Sequence, residues 1–412
     1  MQSNYKPIGD YIQLVDERNK DLKIDLLLGL TINKLFIPSV ANIVGANMRN
    51  YKIIRKNQFA CSIMQVRRDG KMPVALLQEF DEAIISQAYP VFEVKDENIL
   101  LPEYLMMWFS RPEFDREACF YAVGGVRGSL EWEDFCNMKL PIPSIETQRA
   151  IVAEYNAVKN RIALNNQLIQ KLEETAQAIY KQWFVDFEFP DENGNPYKSS
   201  GGKMVFNEEL EKEIPEGWEV SKLNDICEIK GGKRLPKGGS LNENKDGNPY
   251  IKVADMVNDK HLILKETFEY VDYRTQENIK KYIVSENDLI ISIVGTIGLV
   301  KIIDRTLHKA NLTENCVKLT NYNQTYSDVL YHSLVSDEGQ RLIKSLTVGG
   351  VQGKLPIYNI QLIPILLHDQ TVSLFNDKIQ KINSNLLNFQ KQTNSLFRLE
   401  VLLLSKLTSL KN

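Results

Sequence analysis

The feature that most constrains this chain is an internal duplication. Val123-Gly124-Gly125-Val126-Arg127-Gly128 returns as Val348-Gly349-Gly350-Val351-Gln352-Gly353. Each copy is followed by a proline-containing, strand-like run, Lys139-Leu140-Pro141-Ile142-Pro143 and Leu362-Ile363-Pro364-Ile365, and each run leads into a long helical pattern. Upstream, Ile8-Gly9-Asp10-Tyr11-Ile12 matches Leu223-Asn224-Asp225-Ile226-Cys227. One repeat at this spacing means two copies of a single unit, a globular domain followed by a helix. The β-branched runs, such as Asp288-Leu289-Ile290-Ile291-Ser292-Ile293-Val294, stand among shorter helical patterns such as Pro102 to Phe109, so the globular parts are expected to be α+β.

The helical patterns carry a seam. Ile151, Tyr155, Val158, Ile162, Asn165, Ile169, Leu172, Ala176, Ile179 and Trp183 alternate in steps of four and three, the spacing of a coiled coil. The second copy has Phe375, Ile379, Ile382, Leu386, Phe389, Thr393, Leu396, Glu400, Leu403 and Leu407 at the corresponding positions, with Thr393 and Glu400 as polar interruptions. An amphipathic helix packed on its own domain would show a similar period. Against that, a rod of this length, at about 1.5 Å per residue, reaches roughly 50 Å, longer than such a domain needs. A pseudo-two-fold relation between the copies would run the two helices antiparallel. The expected boundaries are globular domains over 1–145 and 218–366, helices over 146–189 and 367–412, and a turn-rich connector over 190–217.

Composition narrows the class of function. With 43% hydrophobic and 25% charged residues the chain is ordinary globular material. Met1 to Asp10 has no basic flank and apolar core, and no apolar run reaches membrane length, so a cytoplasmic protein is expected. Five cysteines (Cys61, Cys119, Cys136, Cys227, Cys316) form no C-x-x-C pair, and the four histidines do not cluster near them, so neither disulfides nor a metal site are expected. The net charge of -3 hides a local pattern. Between Leu26 and Gln78 stand Lys34, Arg49, Lys52, Arg55, Lys56, Arg67, Arg68 and Lys71, against the single acid Asp69. An acid-free island from Ile229 to Asn242 carries Lys230, Lys233, Arg234 and Lys237.

Catalytic signatures for DNA chemistry are missing. Gly349-Gly350-Val351-Gln352-Gly353-Lys354 fails the P-loop pattern, with Val348 at its first glycine and Leu355 at its final hydroxyl position. Asn195-Pro196-Tyr197 and Asn248-Pro249-Tyr250 lack the second proline of an adenine methyltransferase motif, and their polar surroundings read as turns. No catalytic residue is assigned.

Further segments resemble one family closely: Trp183-Phe184-Val185-Asp186-Phe187-Glu188-Phe189-Pro190, Pro196-Tyr197-Lys198-Ser199-Ser200-Gly201-Gly202-Lys203-Met204 and Ile214-Pro215-Glu216-Gly217-Trp218. Together with the duplicated layout they are similar to the specificity subunits of type I restriction–modification systems. Phe36-Ile37-Pro38-Ser39-Val40-Ala41 and Val126-Arg127-Gly128-Ser129-Leu130 look like one class of target-recognition domain. Gly232-Lys233-Arg234-Leu235-Pro236-Lys237-Gly238 and Gly295-Thr296-Ile297-Gly298 look like another. The resemblance implies a non-catalytic subunit that reads a bipartite site in double-stranded DNA. It also implies two methyltransferase subunits as partners, a core to which two ATP-driven nuclease subunits can add. S-adenosylmethionine, ATP and magnesium would then belong to those partners, and this chain would hold no cofactor.

In such a subunit, phosphate contacts give affinity and side chains on base edges give sequence. The basic run from Lys34 to Lys71 is the expected DNA face of the first domain, with Arg67 and Arg68 before the turn signal Asp69-Gly70. In the second domain the expectation falls on Lys230, Lys233, Arg234 and Lys237, on Thr296 in its glycine turn, and on Lys354. Arg127 and its counterpart Gln352 both follow a Gly-Gly pair and suit bidentate base contacts. The rival reading is a DNA-independent coiled-coil adaptor with two protein-binding heads, which has no need of acid-poor basic segments.

Overall fold

The computed structural model describes residues 5–39, 47–123, 128–243, 245–257, 259–350 and 353–409. The chain divides into two compact units, Met1–Arg161 with Leu396–Asn412, and Ile162–Ser395. Each therefore contains part of both long helices, Ile145–Tyr180 and Asp369–Lys406.

In the first unit four antiparallel strands run in the order Ile12–Val15, Val91–Val94, Phe59–Cys61, Val74–Leu76. Against this sheet lie the helices Pro102–Phe109 and Pro112–Tyr121. Both begin with proline, whose fixed φ suits the first helical turn and whose missing N–H costs nothing there. Phe59 and Phe92 stack at 4.9 Å, and Phe109 meets both edge-on, so aromatic burial supplies much of this core.

In the second unit a five-stranded sheet runs Glu228–Gly231, Cys316–Thr320, Leu289–Ser292, Val300–Ile303, His261–Leu262. Leu289–Ser292 and Val300–Ile303 are buried along their whole length, and apart from Ser292 and the buried Lys301 their residues are apolar without alternation. The helices Ser327–Val335 and Asp337–Ser345 follow the sheet in chain order, as Pro102–Phe109 and Pro112–Tyr121 do in the first unit. The opening strand of each copy pairs with its closing proline run: Tyr5–Pro7 with Lys139–Pro141, and Glu219–Lys222 with Pro364–Leu367.

All twenty seam positions are buried or half-buried. Within the second unit, Asn165 Nδ2 donates to Thr393 Oγ1 at 3.2 Å and Tyr180 meets Phe375 edge-on at 6.1 Å, so the helices run antiparallel there. Within the first unit, Tyr155 Oη donates to Glu400 Oε1 at 2.9 Å, and Val152 shares a cluster with Leu404 and Leu407. Thr393 and Glu400 are thus not gaps in the seam. Each meets a polar seam residue of the other helix, the arrangement by which a coiled coil fixes its register.

Within 190–217, Met204–Asn207 and Lys212–Pro215 form a hairpin, and just beyond it Trp218 packs on Phe184, Phe187 and Phe189. One expectation is corrected: Asn248-Pro249-Tyr250 is not a turn but part of the strand Asn248–Ile251, because Tyr250 is buried and its hydroxyl donates to the Lys233 carbonyl. The five cysteines are all free. No described helix is long and apolar enough to cross a membrane.

Candidate nucleic-acid interface

Antiparallel pairing decides which loops share an end of each sheet. In the second unit Gly231 ends one strand, Cys316 begins its neighbour, Ser292 ends the next and Val300 begins the fourth. The segments 232–240, 313–315 and 293–299 are therefore gathered at one end. Main-chain bonds tie them together: Gly232 N–H to the Cys316 carbonyl at 3.0 Å, Lys233 N–H to Leu312 at 2.8 Å, Ile293 N–H to Asn315 at 2.7 Å. Gly232 is required by this closeness, since a Cβ there would strike the Thr313 and Leu312 carbonyl oxygens.

The repeated glycine loop joins the same end. Val348 and Lys354 exchange two main-chain hydrogen bonds of 2.8 Å, closing the base of Gly349–Gly353, and Leu355 N–H reaches the Ile293 carbonyl at 3.0 Å. Gln340, from the helix Asp337–Ser345, donates Nε2–H to the Gly298 carbonyl at 3.0 Å and to Leu334 at 2.7 Å. Ser292 Oγ closes the Gly295–Gly298 turn by donating to the Thr296 carbonyl at 2.5 Å. Turn, helix and glycine loop thus form one corner.

The first unit builds a matching corner. Arg67 N–H donates to the Gly128 carbonyl at 3.1 Å, Leu130 N–H to Ile63 at 2.9 Å, and Cys119 Sγ, on the helix Pro112–Tyr121, lies 3.5 Å from the Val66 carbonyl. Gly128 sits at φ +64 with no room for a side chain, since a Cβ there would come within 2.5 Å of Arg67 Cβ.

The sixteen candidates distribute as follows. Arg67, Arg68 and Lys71 are exposed in the segment leaving the strand Phe59–Cys61, but Arg67 and Arg68 stand on one helical turn, Val66–Asp69, rather than at a loop tip. Gly70, left-handed at φ +66, ends that turn, and Arg68 pairs with Asp69 at 2.7 Å. Arg55 and Lys56 precede the same strand and so lie at the other end of the sheet, where Arg55 bridges Glu17 and Glu82. Lys52 is mostly covered and faces Asp16 at 3.6 Å; Arg49 donates to the Lys20 carbonyl. Lys34 is corrected: its side chain is 9% exposed, paired with Asp115 at 2.8 Å, bonded to the Phe109 carbonyl and set over the Phe114 ring. It is a core residue, and burial pulls its amine below the usual lysine range while Asp115 opposes the shift.

In the second unit Lys233, Arg234 and Lys237 are exposed on the gathered loops, with Arg234 held to Glu314 at 2.6 Å and Lys233 over the Tyr282 ring. Lys230 pairs with Glu228 on the strand below. Thr296 and Lys354 are exposed at the corner. Arg127, Gln352, Val40, Ala41 and Val126 lie outside the described residues. No cluster of three potential metal ligands occurs among the described residues.

Sequence reasoning missed the residues that hold the corner. Gln340 carries no pattern, and Asp115 reads as one acid among several, yet its Oδ1 accepts from both Lys34 and Met72 N–H.

Comparison with known proteins agrees with this geometry. The sequence pattern of the type I restriction modification DNA specificity domain matches residues 40–174 and 215–368. The HindI specificity subunit of Haemophilus influenzae is 24% identical over 366 residues, 77% of this chain and 78% of that protein. The MjaIX specificity subunit of Methanocaldococcus jannaschii is 28% identical over 183 residues, 44% of this chain and only 39% of that relative's length. The crystal structure of the type I restriction–modification S subunit from M. genitalium shares the fold, with a TM-score of 0.52 at 16% identity over 98% of this chain and 95% of that one. Two matches to one domain, falling on the two halves of a duplicated chain, place it in the type I restriction–modification DNA specificity family.

Proposed function

We propose that this chain is the DNA-reading subunit of a type I restriction–modification enzyme, in which each recognition domain reads one half of a bipartite target. The observation that supports it best is the corner built twice, from a segment leaving a central strand, a short helix and the described glycines of the repeated motif (Gly128; Gly349, Gly350 and Gly353), with exposed cations beside it in both copies. A protein-binding adaptor has no use for two such corners. In this reading 1–145 and 218–366 are the recognition domains, 146–189 and 367–412 the long helices that follow each, and 190–217 the connector.

Catalysis belongs to partners: two methyltransferase subunits bring S-adenosylmethionine, and nuclease subunits, where present, bring ATP and magnesium. This chain contributes binding and orientation. Cations on the gathered loops hold the phosphate backbone, and side chains on the turns and glycine loops reach base edges in the grooves.

Methylome sequencing of a host expressing this chain with its methyltransferase tests the reading. The expected outcome is a new methylated motif with two short specific blocks separated by unspecified bases. Methylation of one contiguous block, or none dependent on this chain, overturns it.

A further inference from the structure

Beside the glycine loop of the second unit lies an open cleft of about 860 Å³. The Gly349-Gly350 main chain forms one side, Ile297 and Thr347 the floor, and the helix Asp337–Ser345 the other side, presenting Arg341 and Lys344. These two cations are exposed and spaced to share a helix face, while Ile343 between them is buried. Neither has an ion-pair partner among the described residues. Arg341 Nε donates to the main-chain carbonyl of Asp337, which leaves its terminal nitrogens outward. Asp337 is the one carboxylate in the lining. A Cβ on Gly350 would meet nothing within 4 Å, so that side of the cleft is bare backbone, open to close approach.

We propose that Arg341 and Lys344 hold the sugar–phosphate backbone of the second half-site. The proposal rests on the DNA-reading function above and adds residues that no charge count would select, because Asp337 and Glu338 cancel them in the sequence. Along the helix the acids stand in the first turn and Lys344 in the last, and the cleft is lined by both cations against the single carboxylate of Asp337. The matching helix of the first unit lacks the device. Arg116 there is paired with Glu113 at 3.1 Å, Cys119 stands at the next position on that face, and the exposed cations Arg67 and Arg68 stand instead on the turn Val66–Asp69. The two units carry their exposed charge on different elements of the corner.

The test uses the full chain with two duplexes, one carrying its methylome-defined target and one unrelated, titrated across a salt series. For Arg341→Gln with Lys344→Gln, affinity is expected to fall on both duplexes by a similar factor, roughly eight-fold per lost contact at ~0.1 M salt. The log–log salt slope should shrink by about 0.9 per contact. Arg116→Gln should leave the slope unchanged. An unchanged slope and affinity in the double variant, or a loss confined to the target duplex, overturns the backbone assignment. A Tm lowered without a change in slope would show that Lys344 only complements the C-terminal end of its helix, which overturns it too. If the unaltered chain binds neither duplex, the DNA-reading function itself fails, a distinguishable result.

Discussion

The two units solve one problem with different residues. Both pin a strand-leaving segment and a short helix against the end of a glycine-containing segment, and both separately sink one lysine into the fold. In the first, Lys34 meets Asp115, the Phe109 carbonyl and the Phe114 ring. In the second, Lys260, 1% exposed, meets Asp328 at 2.5 Å, Asn383 at 2.8 Å and the Tyr331 ring. The surrounding chemistry then diverges: Arg67 and Arg68 on a helical turn in one, an uncharged Gly-Thr-Ile-Gly turn in the other. A scaffold held by buried contacts leaves the solvent-facing positions free to differ, as two domains reading different sequences require.

The largest expected effect breaks the shared part. Lys260→Met and Lys34→Met should each destabilise their unit by about 3–5 kcal/mol, because each strands a carboxylate that was neutralised in place. Urea unfolding measures this. A loss below about 1 kcal/mol at either site would mean that the pair is replaceable by apolar packing, as some buried pairs are.

A smaller effect sharpens the contrast between loop and corner. Gly232→Ala should cost about 2–3 kcal/mol, since the added methyl meets two carbonyl oxygens on the adjacent chain. Gly238→Ala, in the same basic loop, meets nothing within 4 Å but sits at φ +87, so about 1–2 kcal/mol is expected. Equal losses would show that close approach to Thr313 does not set the path of this loop.

A pH-dependent effect belongs to the second unit alone. Burial, with Lys260 adding to it, lowers the His261 imidazole from 6.5 to about 4, while its bond to Gln390 opposes the shift. Between those values the unfolded chain takes up a proton that the folded one refuses, so stability should rise with pH from about 4 to 6.5 and level off above. His261→Gln should reduce that rise, the part that remains coming from the buried His332 imidazole, which burial also holds below its ordinary value. An unaltered profile would assign the dependence to other groups.

The duplication, the seam and the matched ends of each copy were legible in the sequence because they are periodic, and periodicity survives without coordinates. Even the polar interruptions were visible, although Thr393 and Glu400 showed their partners, Asn165 and Tyr155, only once the helices were set side by side. The basic segment was legible as a count and misleading as a surface. Of its eight cations, Lys34 is core, Lys52 and Arg55 answer carboxylates brought from Asp16, Glu17 and Glu82, and Lys56 faces the wrong end of the sheet.

The sequence by itself determined that there are two copies of one unit, that their helices carry a coiled-coil seam, and that no recognisable catalytic motif accompanies them. Those properties depend on residue type and spacing along the chain. Which cations face outward together was decided only by the tertiary structure. Strand pairing gathers Lys233, Thr296 and Lys354 from distant segments to one end of a sheet, and the helix Asp337–Ser345 presents Arg341 and Lys344 to a cleft beside the glycine segment without an ion-pair partner among the described residues. A charge's effect depends on what lies within a few ångströms of it, and that neighbourhood is set by folding.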